Sequence, residues 1–216
     1  MRWLPNTRGG KIRAGILITI FLVLALRPVA VRGFYVPQEG DVVFQSLPGG
    51  SDLMVTIEGA THSPFSRCGA VVKKDGRWMV IEAIGEVHFT PLFEWIVVAG
   101  AITWPLTGLN RSSRRKIPAM ITGMEKRLGR PYDYRYELGD DRVYCSSLVY
   151  KGWQVATGKP PGHLVRLGDL DWKPYRVVIQ KYDECGPDDL PLDRLMITPR
   201  DLAQAPELEQ VFDCGY

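Results

Sequence analysis

Histidine and cysteine are scarce in this chain of 216 residues, which has three histidines and four cysteines. Four cysteines, at positions 68, 145, 185 and 214, are too few for the disulfide framework of a chain this long. No two of them have the spacing of metal ligands, so we expect neither a metal site nor a cofactor. Cys185 and Cys214 could pair in an oxidising compartment, and two separate thiols are the simpler alternative.

A long apolar run is also lacking. Four basic residues precede an uncharged apolar run over residues 14–26, which is shorter than the roughly 20 apolar residues of a membrane-spanning helix. Basic residues, a short apolar run and small residues beyond it are typical of a secretory signal. We therefore interpret residues 1–33 as a signal peptide or a short membrane anchor. The uncleaved anchor is the alternative because Arg32 is unusual beside a cleavage site. We expect an exported protein, in the periplasm or otherwise extracytoplasmic.

Acidic residues are absent from this N-terminal segment, which holds six of the 27 Lys and Arg residues and none of the 24 Asp and Glu residues. The remaining 183 residues (216 − 33) therefore carry 21 basic (27 − 6) and 24 acidic side chains, a net charge of −3. Such a body lacks the broad basic surface of a nucleic-acid-binding protein, so we expect no nucleic-acid partner. Residues 34–216 have the size of one domain.

Strands are predicted in the first half of this body. Residues 41–45 form an apolar run bounded by turn residues, which is typical of a strand. Residues 69–72 and 78–83 are apolar runs on either side of Asp75-Gly76, a pattern that predicts a hairpin. A helix is predicted between the first strand and this hairpin, over residues 52–60.

Helices dominate the second half. Thr90-Pro91 predicts the start of a helix over residues 92–98, and Gly129 the end of one over residues 118–128. A further helix is predicted from Cys145 to Val155, then a short strand near 194–197 and a helical turn near Asp201. The mixture indicates an α+β fold, with helices on either side of early strands.

Cys145 lies at the predicted start of a helix. The helix dipole and the unpaired N–H groups there stabilise an anion, which lowers the pKa of a thiol and favours the nucleophilic thiolate. The same N–H groups can hold an oxyanion. The alternative is that Cys145 is a small buried hydrophobic residue at a helix start.

A thiolate mechanism also needs a base, normally histidine. His62, His88 and His163 are the candidates, and each of them alone is more typical of a structural or solvated residue. Glu82 is more informative, because a charged residue on an apolar strand must be paired, exposed or functional. One such function is to orient an imidazole.

Several short motifs occur in one order along the chain. They are Gly40-Asp41-Val42-Val43-Phe44, Ala60-Thr61-His62-Ser63-Pro64-Phe65-Ser66-Arg67-Cys68-Gly69, Ile81-Glu82-Ala83, Thr90-Pro91-Leu92, Gly129-Arg130-Pro131-Tyr132-Asp133, Tyr144-Cys145-Ser146-Ser147-Leu148-Val149-Tyr150 and Ile197-Thr198-Pro199. As an ordered set they resemble the permuted papain-like amidases of the YiiX/YaeF type, a branch of the NlpC-like cysteine hydrolases. The resemblance spans roughly residues 38 to 205.

The resemblance implies a circularly permuted papain-like (NlpC-like) fold, in which a small antiparallel sheet is packed with helices. The sheet carries the base and its orienting acid, and a helix presents the nucleophile. By position, Cys145 matches the nucleophile and Glu82 the orienting residue. Arg67 stands where the family has its histidine, and Ser147 where relatives commonly have glutamate.

Arginine at position 67 changes the expected chemistry. Its pKa is above about 12, so it cannot exchange a proton at neutral pH. General acid–base help contributes roughly 10²- to 10⁴-fold, so we expect impaired turnover of amides and a smaller loss for esters or thioesters. His62 is the candidate for a substitute base, because its loop could fold back towards the site.

Two hypotheses follow. The first is an exported cysteine hydrolase that acts on an amide, ester or thioester, with Cys145 as nucleophile, Glu82 as orienting residue and His62 or water as a poor proton carrier. The second is a catalytically inactive papain-like domain that binds a peptide, cell-wall fragment or acyl chain. The apolar residues 92–106 and the basic run 111–116 could line the groove for such a ligand, which would suit an amphiphilic anion.

Overall fold

The computed structural model describes residues 35–47, 51–98, 105–109, 114–186 and 188–213. From Pro37 onward the chain forms one compact unit. The predicted signal or anchor, and much of the two segments predicted to line a groove, lie outside the described residues. Within the described part, no helix is long and apolar enough to cross a membrane.

An antiparallel sheet of six strands organises the described residues, in the spatial order β4-β3-β2-β1-β5-β8. A separate two-stranded ladder pairs β6 with β7. The strands are β1 (Val42–Gln45), β2 (Arg67–Lys74), β3 (Arg77–Ile84), β4 (Glu86–Pro91), β5 (Pro105–Leu109), β6 (Val165–Arg166), β7 (Leu195–Met196) and β8 (Leu208–Asp213).

The predicted hairpin of β2 and β3 is confirmed, and it is longer than its apolar centre suggested. Asp75 and Gly76 both have positive φ, at 50° and 76°, which is the backbone that a two-residue hairpin turn requires. The pairing runs from Lys74 opposite Arg77 back to Gly69 opposite Glu82. Because paired residues point to the same face of a sheet, this register fixes where the Glu82 carboxylate lies.

Six α-helices surround the sheet in the described part of the chain. They are α1 (Asp52–Thr61), α2 (Leu92–Val98), α3 (Ile117–Glu125), α4 (Cys145–Thr157), α5 (Arg176–Asp183) and α6 (Pro199–Ala203). The helices predicted at 52–60, 92–98, 118–128 and from Cys145 are present. The third ends at Glu125, three residues before the predicted end, and the last extends two residues beyond Val155. The predicted strand near 194–197 and helical turn near Asp201 correspond to β7 and α6.

Several elements escaped the prediction. β4 follows β3 after Gly85, whose φ of 67° makes the turn, and the residues of β4 were not assigned to a strand. β5, β8 and α5 were also missed. The two strands are short and β5 pairs with strands distant in the sequence, and the helix has only eight residues. The sheet therefore does not consist of early strands alone, since the unpredicted β8 pairs with β5 from the C-terminal end.

Helix α4 packs on the sheet and carries the start of the site. Its residues Leu148 and Val149 belong to the same buried cluster as Phe44 and Ile81 of the sheet. On its other side α4 packs against α3, and the closeness of the two helices depends on Gly152. A Cβ there would come within 2.5 Å of Met124 and 2.9 Å of the Met120 carbonyl oxygen, so no larger residue fits.

Candidate active site

Cys145 is the first residue of α4 and is 1% exposed. The helix begins there because Tyr144 has an extended backbone and its N–H donates to Ser147 Oγ at 2.9 Å. Ser147 Oγ in turn donates to the Tyr144 carbonyl oxygen at 2.9 Å. Ser147 therefore caps the helix that presents the sulfur, which gives a structural role to one of the two positions where this sequence departs from the family pattern.

The surroundings of Cys145 set the pKa of its thiol. The Cys68 side chain, the Cys68 backbone N–H and the Ser146 backbone N–H lower the pKa of Cys145, with the Cys68 side chain as the largest contribution. Burial opposes them, and the positive charge of Arg67 adds a smaller lowering effect. The net pKa of Cys145 is below the ordinary thiol value, so the site favours a thiolate at this position.

Cys68 behaves in the opposite way. It is fully buried, and burial raises its pKa well above the ordinary thiol value, helped by its hydrogen bond to Cys145 and by the negative charge of Glu82. Of the two thiols, Cys145 therefore loses its proton more readily. Sequence reasoning missed Cys68 as a site residue. Its position directly after Arg67 at the start of a strand was the available signal.

Arg67 and Glu82 form a buried ion pair. Arg67 Nε donates to Glu82 Oε2 at 2.6 Å, and Arg67 Nη2 contacts the same oxygen. With its amide oriented by the surrounding donors and acceptors, Gln45 accepts from Arg67 Nη1 at 3.1 Å. The guanidinium also lies over the ring of Trp95, 5.5 Å from its centroid. Arg67 is thus held by partners other than the Cys145 thiol.

The Glu82 carboxylate has further donors. Trp95 Nε1 donates to Oε2 at 2.9 Å, and Thr90 Oγ1 donates to Oε1 at 2.5 Å. His88 Nε2 lies 3.8 Å from Oε1, since His88 is the residue opposite Glu82 in the β3–β4 register. Sequence reasoning considered His88 without placing it near Glu82, because β4 was not predicted.

His62 lies elsewhere. It is the C-cap of α1, with a left-handed backbone, and its Nε2 is 3.5 Å from Asp171 Oδ2. Its side chain is 73% exposed, and this contact involves neither Cys145 nor Glu82. The role of His62 as a substitute base stays a prediction. His163 is exposed.

A cluster of tyrosines adjoins the sulfur on the side of α4. Tyr132 Oη and Tyr136 Oη are hydrogen-bonded at 2.9 Å, and the rings of Tyr136 and Tyr144 lie with their centroids 4.5 Å apart. Burial raises the pKa of Tyr132 and of Tyr136, and the nearby Cys145 contributes to both shifts. These hydroxyls are therefore protonated donors close to the sulfur.

Tyr136 also forms part of the wall of an open cleft of about 600 Å³. Most of the lining is apolar. It includes Leu53 and Ile57 of α1, Ile179 of α5, Met196 of β7 and Leu167. Arg135 and Arg194 lie at the same cleft, each paired with an acidic residue of the α5 region. The cleft thus offers an apolar surface to which the tyrosine cluster contributes Tyr136.

Residues 36–212 match the family described as permuted papain-like amidase enzymes, YaeF/YiiX, C92 family. The chain belongs to this family, and the mixed fold with its antiparallel sheet is the permuted papain-like one. It is 31% identical to the uncharacterized protein YiiX of Escherichia coli strain K12 over 195 residues, which covers 88% of this chain and 93% of that protein.

A solved structure agrees with this assignment. The crystal structure of metalloprotein yiiX from Escherichia coli O157:H7 matches with a TM-score of 0.70 and 31% identity, over 83% of this chain and 98% of that one. Family membership thus supports a papain-like hydrolase fold for this chain.

Of the four predicted site residues, the structure brings Arg67 and Glu82 into direct contact. The positive charge of Arg67 also lowers the pKa of Cys145, by less than the other groups that lower it. His62 pairs with Asp171 instead. Cys185 carries a free thiol, as the simpler alternative for Cys185 and Cys214 expects, and Cys214 lies outside the described residues.

Proposed function

We propose that this protein is an exported cysteine hydrolase in which Cys145 is the nucleophile and which prefers esters or thioesters to amides. The observation that carries the proposal is the position of Cys145 as the first residue of α4. The helix start favours an anion, and the surrounding groups lower the pKa of the thiol, which favours the reactive thiolate. Family membership supports the same reaction class.

The proposed reaction starts with attack of the Cys145 thiolate on the substrate carbonyl carbon. The carbonyl oxygen becomes an oxyanion, and the N–H groups at the start of α4 would stabilise it. The leaving group then departs as an alkoxide or thiolate, and water hydrolyses the acyl-enzyme. Because Cys145 is 1% exposed, covering side chains must move to admit the substrate, so we expect slow turnover.

The preference for esters and thioesters follows from the state of Arg67. Its guanidinium is bound by Glu82 and Gln45, and it cannot donate a proton at neutral pH. A departing amine needs that proton, whereas a thiolate leaves without it. Arg67 therefore contributes positive charge near the sulfur and no acid–base catalysis.

A thioester assay tests this proposal. The parent protein, Cys145→Ala and Cys185→Ala are compared for release of thiol from a short-chain acyl thioester and of amine from the matching anilide. Turnover of the thioester that survives in Cys185→Ala and disappears in Cys145→Ala supports the proposal. Equal turnover by the parent and Cys145→Ala would overturn it.

Export is part of the proposal and depends on residues 1–33. Their basic start, short apolar run and small residues support it. Expression in a bacterial host with separation of periplasm, membrane and cytoplasm, followed by N-terminal sequencing, distinguishes a cleaved signal from a retained anchor. Recovery of the intact chain in the cytoplasm would contradict export.

The related Escherichia coli O157:H7 structure is described as that of a metalloprotein, and the residues of the site in this chain do not fit a metal. Glu82 Oε2 already binds the guanidinium cation of Arg67 and the indole N–H of Trp95. Within the described ranges, no group of three or more His, Cys, Asp or Glu side chains is arranged to hold a metal ion. The proposed reaction therefore uses no metal ion.

The cleft beside Tyr136 favours a second candidate function, the binding of an acyl chain without turnover. Its aliphatic lining suits a hydrocarbon chain, and the lining includes Tyr136, whose ring contacts that of Tyr144 beside Cys145. Val178 lines the cleft, whereas its neighbour Val177 is 77% exposed. Val178→Trp should abolish binding of a fluorescent fatty acid, and Val177→Trp should not. Equal binding by both variants would remove this candidate.

A further inference from the structure

Exposed positive charge is concentrated at the end of β2 that lies opposite to Arg67. Lys73 and Lys74 are the last residues of β2, and Arg77 begins β3 across the hairpin turn. A single turn of 3-10 helix in front of α3 adds three more cations. These six exposed cations define the basic surface, and they are Lys73, Lys74, Arg77, Arg114, Arg115 and Lys116.

The turn in front of β1 links the two groups of cations. Glu39 Oε1 accepts from the backbone N–H of Lys73 at 3.0 Å, and Gln38 Oε1 accepts from Arg114 Nη1. Because Gln38 and Glu39 are neighbours in the chain, the hairpin and the 3-10 turn lie at the same end of the sheet. The cations therefore belong to one surface and not to two.

Carboxylates of the folded body do not neutralise this charge. Among the described residues, none of these cations forms an ion pair, whereas exposed arginines elsewhere, such as Arg130 and Arg135, are paired. The described segments that form the basic surface carry two exposed carboxylates, Glu39 and Asp75. The surface is thus positive on a body, residues 34–216, whose net charge is −3.

Two half-buried aromatic rings accompany the cations of the hairpin. Lys73 Nζ lies 5.5 Å from the centroid of the Trp78 ring, and Lys74 Nζ lies 4.0 Å from that of the Phe89 ring. At a membrane surface an aromatic ring lies at the level of the headgroups, and Lys or Arg meets the phosphates. The hairpin therefore presents both kinds of side chain that bind such a surface.

We propose that the basic surface docks the folded domain on a bilayer that contains anionic phospholipid. Such a bilayer attracts clustered Lys and Arg side chains, and each cation close to it strengthens binding roughly fivefold. A second copy of this chain is a poorer partner, because a symmetric contact would place two positive surfaces against each other. The docking does not depend on the proposed hydrolysis, so either can hold without the other.

The point where the chain enters the body favours a bilayer over a dissolved polyanion. The compact unit starts at Pro37, directly before Gln38 and Glu39, which bind the two groups of cations. Residues 1–33, predicted to be a signal peptide or a short anchor, therefore connect to the body at the basic surface. A retained anchor would keep this end of the sheet near the headgroups, and after cleavage the cations alone would attract the domain to them.

Lysine labelling on vesicles tests the docking in the full-length protein. The protein is treated with an amine-reactive reagent in buffer, on phosphatidylcholine vesicles and on vesicles of equimolar phosphatidylcholine and phosphatidylglycerol, and the labelled peptides are measured by mass spectrometry. On the anionic vesicles alone, labelling of Lys73, Lys74 and Lys116 should slow by at least about fivefold, and high salt should remove this protection. Labelling of Lys126 and Lys173, which are exposed outside the basic surface, should not slow.

Two double variants of arginine keep the lysines as reporters. Arg77→Gln with Arg115→Gln removes two cations of the basic surface, so most of the protection on anionic vesicles should be lost. Arg142→Gln with Arg166→Gln removes the same charge from exposed arginines outside this surface, so the protection should stay as in the parent. Because all four side chains are exposed, the thermal unfolding midpoints of both variants should stay near that of the parent.

Equal labelling on neutral and anionic vesicles would overturn the proposal, as would equal loss of protection in both double variants. Protection by heparin as strong as that by vesicles at equal anionic charge would assign the surface to polyanions in general. Protection that rises with protein concentration in the absence of vesicles would assign the surface to a second copy of the chain. Each of these last two results would also reject the bilayer as the partner.

Discussion

Two buried polar clusters lie close together at the start of β2, and they differ in how completely their groups are paired. In the charged cluster, Arg67 and Glu82 bind each other, and Gln45, Thr90 and Trp95 bind one or the other. Each carboxylate oxygen has at least one donor. Such a network keeps a single arrangement, because any change would leave a buried charge unpaired.

The thiol cluster is different. Cys145 receives donors that favour its anionic form, and its reactive lone pairs are not tied into an ion pair of the kind that holds Arg67. Cys68 next to it is protonated and chemically similar. The acid and the cation of this site are therefore used for structure and local charge, whereas the sulfurs retain reactivity. Variants in each cluster test that division.

Loss of the nucleophile should have the largest effect. Cys145→Ala removes the sulfur at the start of α4, so thioester turnover should fall by at least about 10³-fold, as expected for loss of a covalent nucleophile. Alanine fits the space of a small buried residue, so the thermal unfolding midpoint should stay near that of the parent. Initial rates with the Cys185→Ala variant as control measure the effect, and residual turnover within tenfold of the parent would contradict it.

Substitution in the charged cluster should lower the free energy of unfolding. Glu82→Gln leaves the guanidinium of Arg67 buried without its counter-charge, so the free energy of unfolding should fall by about 3–5 kcal/mol. Urea denaturation measures this loss. The double variant Arg67→Gln and Glu82→Gln should lose less than the sum of its single changes, because it leaves no unpaired charge.

An exposed ion pair provides the matched control for this measurement. Asp141 pairs with Arg130 at 3.2 Å on the surface, and Asp141→Asn should change the unfolding midpoint little, because surface pairs are screened by solvent. If Glu82→Gln is as mild as Asp141→Asn, then the charged cluster is not the structural unit that its burial indicates.

These two clusters also show what the sequence could predict. Cys145 at a helix start and Glu82 on an apolar hairpin strand follow from local patterns, which extend over only a few residues. The pairing of Glu82 with Trp95 depends on how α2 covers the sheet, and the contact of Cys68 with Cys145 joins residues far apart in the chain. Such contacts are set by packing, which a local pattern does not contain.

The same reasoning explains the position of the histidines. His88 reaches the vicinity of Glu82 only through the register of β4, and β4 was missed because its six residues alternate in a segment next to a stronger helix signal. His62 follows the end of α1, where a left-handed residue turns the chain towards Asp171. A loop of that kind has no period from which its direction could be read.

Replacement of the cation by a titratable group should give the next largest effect. Arg67→His introduces an imidazole beside Glu82, which can accept and return a proton, so anilide turnover should rise by about 10²-fold at neutral pH. Arg67→Lys serves as control, because it retains the charge without a base near neutral pH. No gain in a folded Arg67→His variant would indicate that a histidine at this position cannot reach the substrate.

The pH dependence of alkylation should distinguish Cys145 from an ordinary thiol. Because the pKa of Cys145 is lowered by the donors around it, its thiolate persists to lower pH than that of an ordinary thiol. The rate of iodoacetamide modification at Cys145, followed by peptide mass spectrometry across pH, should therefore have its inflection below that of N-acetylcysteine. An inflection above it would mean that burial outweighs the hydrogen bonds.

The smallest effect should come from loss of the Cys68 side chain, which is the largest contribution to the lowered pKa of Cys145. Cys68→Ala takes away the side-chain donor to the sulfur but leaves the two backbone N–H groups, so the inflection for Cys145 should move upward. At a fixed pH below the inflection the alkylation rate should fall by roughly tenfold, which corresponds to one hydrogen bond to a charged group. Cys68→Ser distinguishes a lost donor from a lost volume, since a hydroxyl can still donate. Restoration of the low inflection in Cys68→Ser, with Cys68→Ala shifted, would assign the effect to the hydrogen bond, whereas an unshifted Cys68→Ala would show that the helix start alone holds the thiolate.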